Sequence, residues 1–139
     1  MAETVTAAEF ARQFPTLILS ARELPRKRLP FHILLVSTIA RLEPGRAYSE
    51  AEINAELQRW VLEFGQSFGL DHGSLRRYLV DEGYLGRDPA GTTYSVLPEG
   101  GAFTYEAAIC DFDLSALVAE ARLEREARKR AHAGPPPSG

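Results

Sequence analysis

The fold is most readily recognised from residues 71–96, which read DHGSLRRYLVDEGYLGRDPAGTTYSV. Asp71 can cap a helix that places Leu75 and Leu79 on its buried side, and Gly83 can end that helix. Two short β-prone runs follow, separated by a proline-containing turn that ends in glycine. The pattern predicts a helix followed directly by a β-hairpin.

Two further helices are predicted ahead of this segment. Residues 31–42 read as a buried helix, apolar almost all round, which Pro44-Gly45 ends. Ser49 and Glu52 form a capping box before a second helix with apolar residues on one face. Three helices and a hairpin in this order are the layout of a winged helix-turn-helix module, with the hairpin as the wing. We therefore predict a mainly α-helical fold with a small β-hairpin, namely a winged helix-turn-helix-like domain with appended N- and C-terminal helices.

Shorter elements extend the predicted domain at both ends. Thr6 and Glu9 have the capping-box pattern of a short helix that Pro15 is expected to end. Asp113, after an irregular piece, can cap a C-terminal helix that either forms a homodimer with its copy or packs back on the domain. The predicted organisation is an N-terminal helical extension (1–24), a winged-helix-like domain (25–97), a linker with the C-terminal helix (98–133) and a disordered tail (134–139).

Several short motifs occur in one order between Leu24 and Tyr94. They are Leu24-Pro25-Arg26-Lys27, then Glu43-Pro44-Gly45-Arg46-Ala47-Tyr48-Ser49-Glu50, then Glu52-Ile53-Asn54, and finally Asp71 to Asp81 followed by Gly91 and Tyr94. With these motifs the segment resembles a bacterial domain of unknown function that also occurs fused to arsenic-repressor-type helix-turn-helix regulators. The resemblance implies a winged-helix-like fold in a regulatory setting. It implies no established chemistry.

The residues predicted to contact DNA lie on the outward face of the helix that begins at residue 72. With Leu75 and Leu79 inward at about 100° per residue, Gly73, Arg76 and Arg77 point outward. Arginines there could contact phosphates or guanine edges, and Gly73 would let a phosphate approach the helix N-terminus. The predicted DNA contacts are Gly73, Arg76, Arg77 and, on the wing, Arg87, with Arg26, Lys27, Arg28 and His72 as additional contacts.

A simpler interpretation of the two helix arginines remains open. Arg76 and Arg77 could be solvated, or pair with Glu63, Asp81 or Glu82, which contributes only about 0–1 kcal/mol at a surface. The net charge of −3 also weighs against indiscriminate binding to nucleic acid. The sequence therefore predicts a DNA-binding or accessory transcriptional regulator, with a protein-interaction module that has the same fold but no DNA contact as the alternative.

Catalytic and metal-binding patterns are not evident in the sequence. Asp71, His72 and Ser74 invite a catalytic-triad reading, but His72 and Ser74 are two residues apart on a helix and point in nearly opposite directions. Asp71 as a helix cap explains these residues without catalysis. We predict no enzyme activity, no cofactor and no metal.

The remaining expectations concern burial and location. Trp60, Phe64 and Phe68 are expected in the core, with an exposed protein-binding patch as the alternative. Cys110, the only cysteine, is expected to be a small buried apolar residue. The longest apolar run, residues 31–40, is too short to span a membrane, and no secretory signal is recognised, so a cytoplasmic protein of one domain is expected.

Overall fold

Five α-helices and five short β-strands form the described part of the chain. The structure is a computed structural model that describes residues 3–98, 101 and 103–133. The tail predicted at 134–139 lies outside the described residues, as do residues 99 and 100 of the predicted linker. In chain order the elements are β1 (Glu3–Val5), α1 (Ala7–Ser20), α2 (Arg28–Ile39), β2 (Tyr48–Ser49), α3 (Glu50–Trp60), α4 (His72–Asp81), β3 (Leu85–Arg87), β4 (Thr93–Val96), β5 (Phe103–Tyr105) and α5 (Leu114–Ala133).

The predicted hairpin is confirmed, and it belongs to a three-stranded antiparallel sheet. Strands β3 and β4 pair with Leu85 opposite Val96, and β2 adds to the other edge of β4, giving the order β2-β4-β3. The hairpin turn closes with the Gly91 N–H donating to the Asp88 carbonyl oxygen at 2.9 Å. Gly91 has φ +71°, a conformation that favours glycine. The fold is thus mainly helical with a small antiparallel sheet, as predicted.

Local capping signals place α3 and α4 where the sequence predicts them. The Ser49 side chain accepts from the Glu52 N–H at 3.1 Å, and the Glu52 side chain accepts from the Ser49 N–H at 3.0 Å. At the start of α4, Asp71 Oδ1 accepts from the Ser74 N–H at 2.7 Å. Gly83, at φ +84°, follows the end of α4. Both predicted caps are confirmed.

The aromatic residues at the end of α3 and in the turns that follow it are buried, as expected. The helix continues as a π-helical turn at Val61–Gly65 and a 3₁₀ turn at Gln66–Phe68. Trp60 is 1% exposed, and its Nε1–H donates to Ser37 Oγ at 3.0 Å. Phe64 and Phe68 are buried with it, so the alternative of an exposed aromatic patch is wrong.

Pro15 does not end the first helix, contrary to prediction. Helix α1 begins after the Thr6 cap and continues through Pro15 to Ser20. Phe10 and Phe14 are fully buried before the proline, and Leu17 packs on the core after it. We attribute the continuation to this burial, which offsets the hydrogen bond that proline cannot make.

The segment before Asp113 is more regular than predicted. Strand β5 pairs in parallel with β1, and a 3₁₀ turn at Ala107–Asp111 follows it. Within that turn Ile109 takes the buried position and Cys110 is exposed, so the expectation of a buried cysteine is wrong.

The C-terminal helix packs back on the domain in its first half. Asp113 Oδ1 accepts from the Ala116 N–H at 3.0 Å, which confirms the predicted cap. Leu114 and Val118 are buried in the same hydrophobic cluster as the central helices. Further along, Arg125 donates to the Leu19 carbonyl oxygen of α1 at 3.4 Å. In the part of the chain that the structure describes, no helix is long and apolar enough to cross a membrane.

Candidate nucleic-acid interface

A cleft of about 500 Å³ lies between α4 and the β3–β4 hairpin. Gly73, Arg76 and Arg77 come to it from α4, and Arg87 comes from β3. All four main contacts predicted from the sequence therefore line one surface depression, which we call the arginine cleft. Its other lining residues are Asp71, Ser74, Val80, Asp81 and Tyr94.

Arg76 is held in place by neighbours from two other elements. Its Nη1 donates to Asn54 Oδ1 at 2.7 Å and lies 3.3 Å from Glu50 Oε1, both on α3. Its guanidinium also lies 5.4 Å from the centroid of the Tyr94 ring on β4. The side chain is only 26% exposed. Arg76 therefore ties α4 to α3 and to the sheet, while still lining the cleft.

The acidic partners suggested by the sequence are not those that the structure shows for Arg76. Glu63 lies elsewhere and accepts from Arg41 Nη1 at 2.7 Å. Arg76 contacts Glu50 and Asn54 instead, because these two residues are one turn apart on the side of α3 that faces α4. The i, i+4 spacing of Glu50 and Asn54 is visible in the sequence. Which helix these two side chains face depends on the tertiary packing.

Arg77 and Arg87 are the more accessible cations of the arginine cleft. Both are exposed. The Arg87 guanidinium lies 5.7 Å from the centroid of the Tyr94 ring. Within the described ranges 3–98 and 103–133, neither guanidinium is found in an ion pair. These two side chains are thus free to meet an anion.

Two aspartates reduce the positive charge of the cleft. Asp71 and Asp81 both line it. The Asp71 carboxylate accepts hydrogen bonds from the backbone N–H and the side chain of Ser74, and these lower its pKa, so it stays negative at neutral pH. Because the Ser74 N–H is already engaged by Asp71, the expected approach of a phosphate to the N-terminal amides beside Gly73 is opposed.

The additional contacts predicted from the sequence lie away from the cleft. His72 is half-buried against α3, where its Nδ1 donates to Gln58 Oε1 at 3.0 Å. Arg26 and Arg28 line a separate pocket beside α2, and Lys27 stands at the N-cap of that helix.

The residues that resemble a catalytic triad in the sequence do not form one. His72 and Ser74 make different contacts, so the structure assembles no relay between them. In the described residues no cluster of His, Cys, Asp or Glu could hold a metal ion.

The helices, the antiparallel sheet and the arginine cleft together define a small mainly α-helical domain with a basic depression between α4 and the hairpin. A family model described as "Uncharacterized protein conserved in bacteria (DUF2087)" matches residues 21–96, and the chain belongs to that family. The match runs from the end of α1 to the end of β4, so it contains the complete cleft. Comparison with curated proteins and with solved structures gives no match.

Proposed function

We propose that this protein binds double-stranded DNA as a transcriptional regulator or an accessory factor. In this proposal α4 is the recognition helix and the β3–β4 hairpin is the wing. The observation that carries it is the arginine cleft, where Arg77 of α4 and Arg87 of the hairpin line one surface. A DNA partner would place the protein in the cytoplasm.

The order of elements supports a winged helix-turn-helix assignment. Helix α2 is followed by a short strand, two more helices and the hairpin, and the sheet order is β2-β4-β3. In a winged module the strand before the second helix joins the sheet beside the last strand, and this is the pairing of Tyr48 with Tyr94. The third helix of such a module enters the major groove. Here that helix is α4.

The proposed role of each arginine follows from the contacts that its side chain makes. Arg77 and Arg87 would contact phosphates or base edges, since both are exposed and line the cleft. Arg76 would position α4, because it is bound to Asn54 and Glu50.

A net charge of −3 predicts weak binding of DNA by one copy of the protein. We therefore also propose a homodimer through α5, where Leu123 is 63% exposed. Two cleft surfaces would then bind a two-fold site.

A salt titration tests the proposal. Fluorescence anisotropy of a labelled random-sequence duplex is measured against wild type and Arg77→Ala/Arg87→Ala over a range of salt concentrations. The logarithm of the association constant should fall linearly with the logarithm of salt concentration, by about 0.9 per phosphate contact, so the variant's slope should flatten by about 1.8.

The matched control is Arg12→Ala/Arg59→Ala, which removes the same charge from exposed sites outside the arginine cleft. Its slope should equal that of wild type. Equal flattening in both variants would mean that net charge alone governs binding. Absence of binding at low salt, by protein with a folded circular-dichroism spectrum, would contradict the proposal.

A second candidate function is a protein-interaction or regulatory module with the same fold and no DNA contact. The observation that favours it is the presence of Asp71 and Asp81 in the cleft, because carboxylates repel a phosphate backbone. In this case Arg77 and Arg87 would pair with acidic side chains of a partner protein. The outcome without DNA binding would favour this candidate.

A further inference from the structure

A second pocket, of about 430 Å³, lies on another flank of α4. Tyr78 and Glu82 line it from α4, and Phe31 and His32 line it from α2. It shares no lining residue with the arginine cleft. Its volume is within the range of about 300–1,000 Å³ that small-molecule sites occupy.

The inner wall of this pocket is apolar and aromatic. Phe31 and Tyr78 meet edge to face, with ring centroids 5.5 Å apart and planes at 87°. Leu24 and Pro25 line the same space and are half-buried. These side chains could cover the faces of one more ring of similar size.

His32 is a buried polar group on the pocket wall. It is 3% exposed, and its Nδ1 lies 2.7 Å from the Tyr84 hydroxyl. Burial lowers the pKa of His32 and raises the pKa of Tyr84, so at neutral pH the imidazole is neutral and the phenol keeps its proton. Tyr84 donates its proton to Nδ1, because the other ring nitrogen, Nε2, faces the Glu82 carboxylate, which can only accept.

This arrangement leaves the second imidazole nitrogen of His32 as a donor. Nε2 lies 3.5 Å from Glu82 Oε2 at the pocket. A neutral imidazole that accepts at Nδ1 carries its proton on Nε2, so its N–H faces the Glu82 carboxylate.

The charged side chains at the pocket give it a positive balance. Arg26 and Arg28 line it and are exposed. Arg28 also lies over the Phe103 ring, 5.3 Å from its centroid. Two guanidinium groups stand against the single carboxylate of Glu82, which His32 faces. A monoanion with a flat apolar part matches both the charge and the wall.

We propose that this pocket binds a small aromatic carboxylate, with its ring against Phe31 and Tyr78 and its carboxylate on Arg26 and Arg28. The inference does not depend on DNA binding, because the two surfaces are separate. It also gives Arg26 and Arg28 a role other than the DNA contact that the sequence indicates.

Three probes of matched size test the proposal: phenylacetate, 2-phenylethanol and 2-phenylethylamine. Each is titrated into the ¹⁵N-labelled full chain, followed by ¹H–¹⁵N correlation spectra. Phenylacetate should shift the amide signals of Phe31, Tyr78 and Glu82 in a saturable way, with a dissociation constant at least tenfold below that of 2-phenylethanol. The double variant Arg26→Gln/Arg28→Gln should remove this difference.

Lys27→Gln is the matched control, because Lys27 is exposed and adjacent but does not line the pocket. It should bind phenylacetate within twofold of wild type. Tighter binding of 2-phenylethylamine would overturn the proposal, since Glu82 would then set the preference. Absence of saturable shifts up to the solubility of phenylacetate, or unchanged binding in the double variant with an otherwise unchanged spectrum, would also overturn it.

Discussion

Two flanks of one short helix differ sharply in chemistry. Arg77 lines the arginine cleft, whereas its neighbour Tyr78 lines the aromatic pocket. Consecutive helical residues point about 100° apart, so ten residues can serve two surfaces. This is feasible because Leu75 and Leu79 alone anchor α4 in the core with full burial. A small helix can therefore present two independent surfaces when its buried stripe is narrow.

The largest expected effect is a difference in stability between variants that replace one or the other arginine of α4. Arg76→Ala should lower the free energy of unfolding by about 1–2 kcal/mol, because it removes a half-buried contact with Asn54 and Glu50 and leaves the Asn54 oxygen without its donor. Arg77→Ala, at an exposed site, should change it by less than about 0.5 kcal/mol. Urea denaturation of both variants measures the difference.

DNA binding by the Arg77 variant is a second test of the different roles of Arg76 and Arg77. Arg77→Ala should flatten the salt dependence of binding without loss of stability. Equal stability losses for the two variants would contradict the assignment of Arg76 as the residue that positions α4.

A smaller effect is expected from His32 at the aromatic pocket, as a dependence of the free energy of unfolding on pH. Burial holds the pKa of His32 below its ordinary value of about 6.5, so on acidification the unfolded chain takes up this proton before the folded chain does. Stability from this group is complete above about pH 6.5 and declines as the pH falls towards the folded-state pKa, by at most about 1.4 kcal/mol per pH unit.

The variant His32→Gln isolates this contribution. Its amide oxygen can still accept from Tyr84, but it does not titrate. Between pH 6.5 and about 5, wild type should lose more unfolding free energy than the variant, as measured by urea denaturation at each pH. Parallel curves for the two proteins would contradict a buried neutral His32.

The parts of the fold that follow from local signals were predictable from the sequence. The Ser49–Glu52 box and the Asp71 cap depend on residues three apart. The hairpin depends on a turn of four residues, 88–91. Periodicity also placed Arg76 and Arg77 on one side of α4. These signals need no knowledge of tertiary packing.

The features that were missed depend on contacts between distant parts of the chain. Strand β1 pairs with β5 across about a hundred residues, as in Thr4 and Thr104, and three-residue strands carry little periodicity. Helix α1 continues past Pro15 because of core burial on both sides. The pocket at Arg26 and Arg28 forms only when the segment before α2 meets the end of α4.

A DNA titration of the ¹⁵N-labelled protein at low salt is the most direct test of the arginine cleft as a DNA interface. Amide shifts that saturate are expected at Arg77 and Arg87, with the signals of Arg26 and Arg28 unchanged. Shifts centred on Arg26 and Arg28 would contradict the assignment of the arginine cleft as the DNA interface. Unchanged signals throughout the folded protein would contradict DNA binding itself.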